Sequence, residues 1–102
     1  MNRVVITGMG IWSCLGQNLD DVRDALYQGK SGIIFSQERK DAGFRSALCA
    51  DVPAVNIKKL LARNVRQFMP EEAQYAYVAT QQALENAKID QDFLDAHEVG
   101  II

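Results

Sequence analysis

Histidine and cysteine are scarce in this chain, with one His (His97) and two Cys (Cys14 and Cys49) among 102 residues. No pair of them stands at a metal-finger spacing, and a single imidazole does not complete a ligand set with two distant thiols. A structural metal centre is therefore not what organises the fold. An excess of positive charge is also missing. The net charge is −2, which argues against a nucleic-acid binder that works by neutralising phosphates. There is no run of about 20 apolar residues, so no transmembrane helix is expected. The chain enters an apolar run at once, with no basic region and apolar signal core before it, and a cytoplasmic protein is the simplest reading. Internal repeats, low-complexity tracts and a clear linker are absent too.

Apolar residues make up 48% of the chain, too many for disorder by composition. The length suits one domain or less, enough for one modest core. The two cysteines read as ordinary reduced thiols. A single disulfide is the alternative, and no export signal supports it. Neither cysteine has a histidine nearby in sequence to activate it as a nucleophile.

The organising stretch is residues 3–16. Val4, Val5 and Ile6 are β-branched and suit a strand buried on both faces. Gly8 and Gly10 then interrupt the run. Gly16, Gln17 and Asn18 lead into a helix, with Asn18 as its N-cap. Strand, glycine-rich turn and helix start together open an α/β layer domain. A dinucleotide fingerprint G-x-G-x-x-G is excluded, because Ser13 holds the third glycine position and the helix starts too late. The glycines instead predict a tight approach to a neighbouring backbone.

A helix is expected over residues 19–28. Leu19, Val22, Ala25 and Leu26 share one face, Asp20 and Asp21 sit at the positive dipole end, and Gly29 stops it. Residues 32–35 read as a short strand or buried loop. Residues 36–43 read as a turn or short helix, and residues 45–52 as extended. Asn56 is expected to cap a helix over residues 57–64 with Ile57, Leu60 and Leu61 inward. The clearest helix starts at Pro70, with Glu71 and Glu72 in its first turn. Its packing stripe reads Ala73, Ala76, Tyr77, Thr80, Ala83, Leu84 and Ala87. Lys88 stands where a glycine would end it more comfortably. Phe93 and Leu94 anchor a polar stretch that ends at His97, a surface residue. Val99, Gly100, Ile101 and Ile102 then begin a second β run.

Lys58, Lys59, Arg63 and Arg66 cluster in an otherwise acidic chain. A solvated basic face and a patch for an acidic partner are both open on the residues alone.

The opening residues Val5, Ile6, Thr7, Gly8, Gly10, Ser13 and Gly16 fit a V-I-T-G-x-G-x-x-S-x-x-G pattern, and the chain there resembles the β-ketoacyl-acyl-carrier-protein synthases. Ordered matches follow over the whole chain: Gly29, Lys30, Ser31, Gly32 and Ile33; Phe35, Ser36, Gln37 and Glu38, which resemble the type I bacterial branch; Gly43, Phe44, Arg45 and Ser46; and Arg66, Gln67, Phe68 and Met69. The resemblance implies the N-terminal part of a thiolase-like five-layer α/β/α/β/α fold. It implies a homodimer, no cofactor, and a condensation in which malonyl-carrier protein loses CO₂ and attacks an acyl thioester held on a cysteine. The acyl carrier protein is then the acidic partner of Arg63, Arg66, Lys58 and Lys59. The likeness in that segment is partial. Asn64 and Gln67 replace basic family residues, which would weaken docking through this segment or shift it toward Lys58 and Lys59.

Cys14, Cys49 and His97 match none of the family's catalytic groups. The expectation is that residues 1–102 form the leading part of a synthase N-terminal domain, ending in its second core strand and inactive alone. The alternatives are a non-catalytic relative of the chain-length-factor kind and a carrier-protein-binding module.

Overall fold

The computed structural model describes residues 2–102. The chain divides into two compact units, Met1–Ile11 with Val55–Ile102, and Trp12–Ala54.

In the unit Trp12–Ala54, Ser13 and Gly16 exchange backbone hydrogen bonds across a tight turn. Helix α1 (Leu19–Tyr27) follows, and the Asn18 side chain accepts from the Asp21 N–H at 2.9 Å. That bond satisfies one of the donors orphaned at a helix start. Asp20 and Asp21 occupy the first turn as expected, and Gly29 takes a φ of 64° just past the Gln28 cap, a backbone angle natural to glycine. Ala25 is the buried residue of this helix, while Leu26 and Tyr27 stay exposed.

Strand β1 (Ile33–Phe35) pairs antiparallel with β2 (Leu48–Ala50), in a register that sets Ile33 opposite Ala50, Ile34 opposite Cys49 and Phe35 opposite Leu48. Residues 33–35 are thus a strand, although an exposed one. Between the strands lies α2 (Gln37–Asp41), capped by the Ser36 hydroxyl, which accepts from the Arg39 N–H. Arg39 lies 5.3 Å over the Phe44 ring and Lys40 lies 5.9 Å from the Phe35 ring centre. The indole N–H of Trp12 donates to the Pro53 carbonyl at 2.6 Å, fastening the two ends of the unit to each other.

The other unit is built on α5 (Glu71–Ala87). Residues 8–11 run against it. The space where a side chain of Gly10 would sit is filled by the Ala79 carbonyl, with the Ala83 nitrogen 2.8 Å away. That of Gly8 is filled by the Ala83 carbonyl and by Ala87. The close backbone approach expected of these glycines is therefore what the fold uses. The α5 surface that receives them differs from the expected stripe. Ala73, Tyr77, Ala83, Leu84 and Ala87 are partly covered, whereas Ala76 and Thr80 face solvent, and Ala79, Gln82 and Asn86 take part instead. Pro70 is the N-cap itself and Glu71 opens the helix. Lys88 ends it in the left-handed conformation, at φ 57° and ψ 39°.

The helix expected over residues 57–64 is broken. Short α3 (Ile57–Leu60) and α4 (Arg63–Arg66) are separated by Leu61 and Ala62, both extended. Asn56 stands at the cap position, but its side chain makes no capping bond. Ile57 is buried, yet Leu60, three residues on in the same short helix, is 53% exposed rather than inward. Helix α6 (Gln91–Ala96) is capped by Asp90, whose carboxylate accepts from the Phe93 N–H at 2.9 Å. Leu94 is half-buried and Phe93 more open.

Residues 4–6 and 99–102, expected as strands, are in no ladder among the described residues. A strand exists through hydrogen bonds to a neighbouring strand. No described backbone group pairs with these segments, and Val4 is 91% and Ile6 85% exposed.

Candidate functional site

Helices α3 and α4 pack against each other and carry all four basic candidates. Lys58 and Lys59 lie in α3, Arg63 and Arg66 in α4. No Asp or Glu occurs from position 52 to position 70. Lys58, Lys59 and Arg63 are exposed and Arg66 is half-buried. Among the described residues, none of the four forms an ion pair. Arg23 of α1 differs, reaching Asp20 at 3.1 Å and Asp24 at 3.2 Å. Positive charge in residues 52–70 is thus left without internal compensation. The Nε of Arg66 is shielded from solvent without a hydrogen-bond partner among the described residues.

Apolar side chains interleave with these cations. Val65 and Phe68 are exposed, Phe68 by 79%. Leu60 lines a shallow groove with Tyr77, Val78, Gln82 and Glu85 of α5. Reading the sequence missed this apolar component. The clue was available in Phe68, which follows the basic residues without a helical period to bury it.

His97 is exposed, stacks on Phe93 with ring centres 4.1 Å apart, and holds Nδ1 2.9 Å from the Phe93 carbonyl oxygen. Cys14 and Cys49 are free thiols, each partly exposed. Among the described residues no three acidic, histidine or cysteine side chains converge as metal ligands. Gly8 and Gly10 offer no phosphate cradle, since α5 occupies the space beside them. No described helix is long and apolar enough to cross a membrane.

The arrangement defines an α/β chain with an uncompensated basic ledge on two short helices. The model of the β-ketoacyl synthase N-terminal domain matches residues 1–102, and the chain belongs to that family. It is 39% identical over 103 aligned residues to the 3-oxoacyl-[acyl-carrier-protein] synthase 1 of Buchnera aphidicola from Acyrthosiphon pisum, and 39% identical to that of Escherichia coli K12. It is 30% identical to the 3-oxoacyl-[acyl-carrier-protein] synthase 2 of Synechocystis, over 98% of its own length. The chain spans about a quarter of the length of these relatives (25% and 24%).

Proposed function

We propose that this chain is the N-terminal segment of a 3-oxoacyl-acyl-carrier-protein synthase of fatty-acid synthesis, and that α3 and α4 receive the acyl carrier protein. The enzyme condenses an acyl thioester with malonyl-carrier protein and releases CO₂. In this reading the described residues contribute docking and support, and no side chain among them acts on the thioester. A thiolase-like layered fold, a homodimer and a cytoplasmic enzyme are parts of the same proposal.

The observation that carries the docking role is the acid-free run from 52 to 70 with exposed, unpaired Lys58, Lys59 and Arg63 and half-buried Arg66. Exposed cations of this kind steer an acidic partner and lose force as salt screens them. The test is titration of the protein with an acidic acyl carrier protein, followed by fluorescence anisotropy at low and high salt. Binding should weaken with salt. Arg63→Glu with Arg66→Glu should cost about tenfold or more in affinity, roughly 1.4 kcal/mol. Affinity unchanged by both reversals would overturn the assignment.

A further inference from the structure

We infer that Cys14 and Cys49 form a dithiol pair on one face of the β1–β2 ribbon, open to reversible bridging. Both lie in the compact unit Trp12–Ala54. The pairing register sets Cys49 directly opposite Ile34. Directly opposed residues of an antiparallel pair point to the same face, so Cys49 shares the Ile34 face. Side chains alternate along a strand. Carried one residue back from β1, that alternation assigns Gly32 to the same face, two positions before Ile34. The Cys14 Sγ sits over this glycine, 2.5 Å from where its Cβ would be, with the Cys14 Cβ 3.0 Å from that point. The tight turn between Ser13 and Gly16 holds Cys14 there.

Cys49 therefore stands diagonally across the ribbon from the residue that Cys14 covers. Diagonal neighbours, here Gly32 and Cys49, lie roughly 7–8 Å apart at the backbone, so bridging Cys14 to Cys49 requires the 13–16 turn to move. Asp51, on the same side of β2, keeps its Oδ1 3.7 Å from the Cys49 Sγ and accepts from the thiol. Each thiol is free and partly exposed, so neither is sealed from a small reagent. No residue larger than glycine fits at position 32 without displacing Cys14.

The bridging step is thiol–disulfide exchange with a low-molecular-weight disulfide such as glutathione disulfide. One cysteine thiolate attacks it, releasing one glutathione thiol and leaving a mixed disulfide. The second cysteine thiolate then attacks the protein sulfur of that adduct and expels the second glutathione thiol. Two S–H bonds are lost, one protein S–S bond forms, and glutathione disulfide is reduced to two thiols. The bridge ties the 13–16 turn to β2.

The experiment treats the protein with glutathione disulfide, blocks residual thiols with maleimide, digests with trypsin and maps the products by mass. The expected product joins the peptide 4–23 to the peptide 46–58, two hydrogens lighter than their sum, and dithiothreitol releases it. Cys14→Ser and Cys49→Ser each abolish that product and leave a stable glutathione adduct on the remaining thiol. A trivalent arsenical, which needs two neighbouring thiols, should protect both cysteines from maleimide in the unsubstituted protein and neither in the single variants. Separate glutathione adducts on both cysteines, or independent maleimide reaction in the presence of the arsenical, would overturn the pairing.

Discussion

The Met9 amide donates to the Asn86 Oδ1 at 3.1 Å, joining positions 77 apart in the chain. One step along, the Ile11 amide donates to the Gln82 Oε1, also at 3.1 Å. Alternate amides of an extended segment point the same way, and residues four apart stack on one helix face. The two periodicities coincide here. Side-chain carbonyls on α5 thus take the place of a neighbouring strand for the exit of the glycine-rich stretch.

The two bonds should differ in weight. The Ile11 bond is partly buried and the Met9 bond exposed. Gln82→Leu leaves a shielded amide without its acceptor and should cost about 1–2 kcal/mol. Asn86→Leu exposes an amide that water can serve, and should cost well under that. Urea midpoints of the two variants test the order. Amide deuterium exchange at Ile11 should accelerate in the Gln82 variant. Equal midpoint shifts would show that the clamp is not graded by burial.

The glycines beneath that clamp set a stricter limit. A methyl group at Gly10 meets the Ala79 carbonyl and the Ala83 nitrogen, both backbone atoms of α5 that cannot rotate aside. Gly10→Ala should therefore destabilise by about 1–3 kcal/mol, as overpacking typically does, with loss of the Met9 and Ile11 bonds as the segment lifts off. Gly100→Ala is the control, since a Cβ there meets nothing within 4 Å. Its urea midpoint should remain at the parent value.

Some of this was legible in residues and some was not. Asn18, Asp20, Asp21 and Gly29 announce α1, because capping, dipole and left-handed stop are local chemistry. Gly8 and Gly10 announce a close approach, and α5 provides it. The break at Leu61 and Ala62 has no local signal. Neither residue is a helix breaker, and only packing of α3 on α4 distinguishes two short helices from one. The packed face of α5 was misassigned in part for a different reason. Gln82 and Asn86 count as polar in a periodicity reading, yet the fold uses their carbonyls inward. The β character of residues 4–6 and 99–102 is written in their composition, but a ladder needs a partner that these sequences do not encode locally. The basic ledge was visible as charge, and the docking role proposed for it came only through family resemblance.

The ledge itself yields a prediction about which cations matter. Lys58 and Lys59 sit on α3, one short helix away from Arg63, and all three are exposed. With Asn64 and Gln67 neutral, the α3 lysines supply half of the positive charge between 52 and 70. Lys58→Glu with Lys59→Glu should then weaken carrier-protein binding by about as much as the paired arginine reversals, roughly tenfold, chiefly through slower association. Stopped-flow rates at two salt concentrations measure this. An unchanged association rate would confine docking to α4.

Lys88 offers a gain rather than a loss. It ends α5 at φ 57°, where a residue with a Cβ carries a steric cost of roughly 1–2 kcal/mol. Glycine removes that cost but adds freedom to the unfolded chain, which offsets part of the gain. The capping bonds are backbone ones, from the Lys88 N–H to the Glu85 carbonyl at 3.1 Å and from the Ile89 N–H to the Leu84 carbonyl at 2.9 Å, so they survive the substitution. The Lys88 side chain is exposed, so little packing is lost. Lys88→Gly should therefore stabilise the protein by about 0.5–1 kcal/mol, while Lys88→Ala, which keeps the Cβ, should not. A thermal midpoint that rises for glycine and not for alanine identifies the left-handed cap as the source. A rise for both would instead assign the gain to loss of the lysine charge.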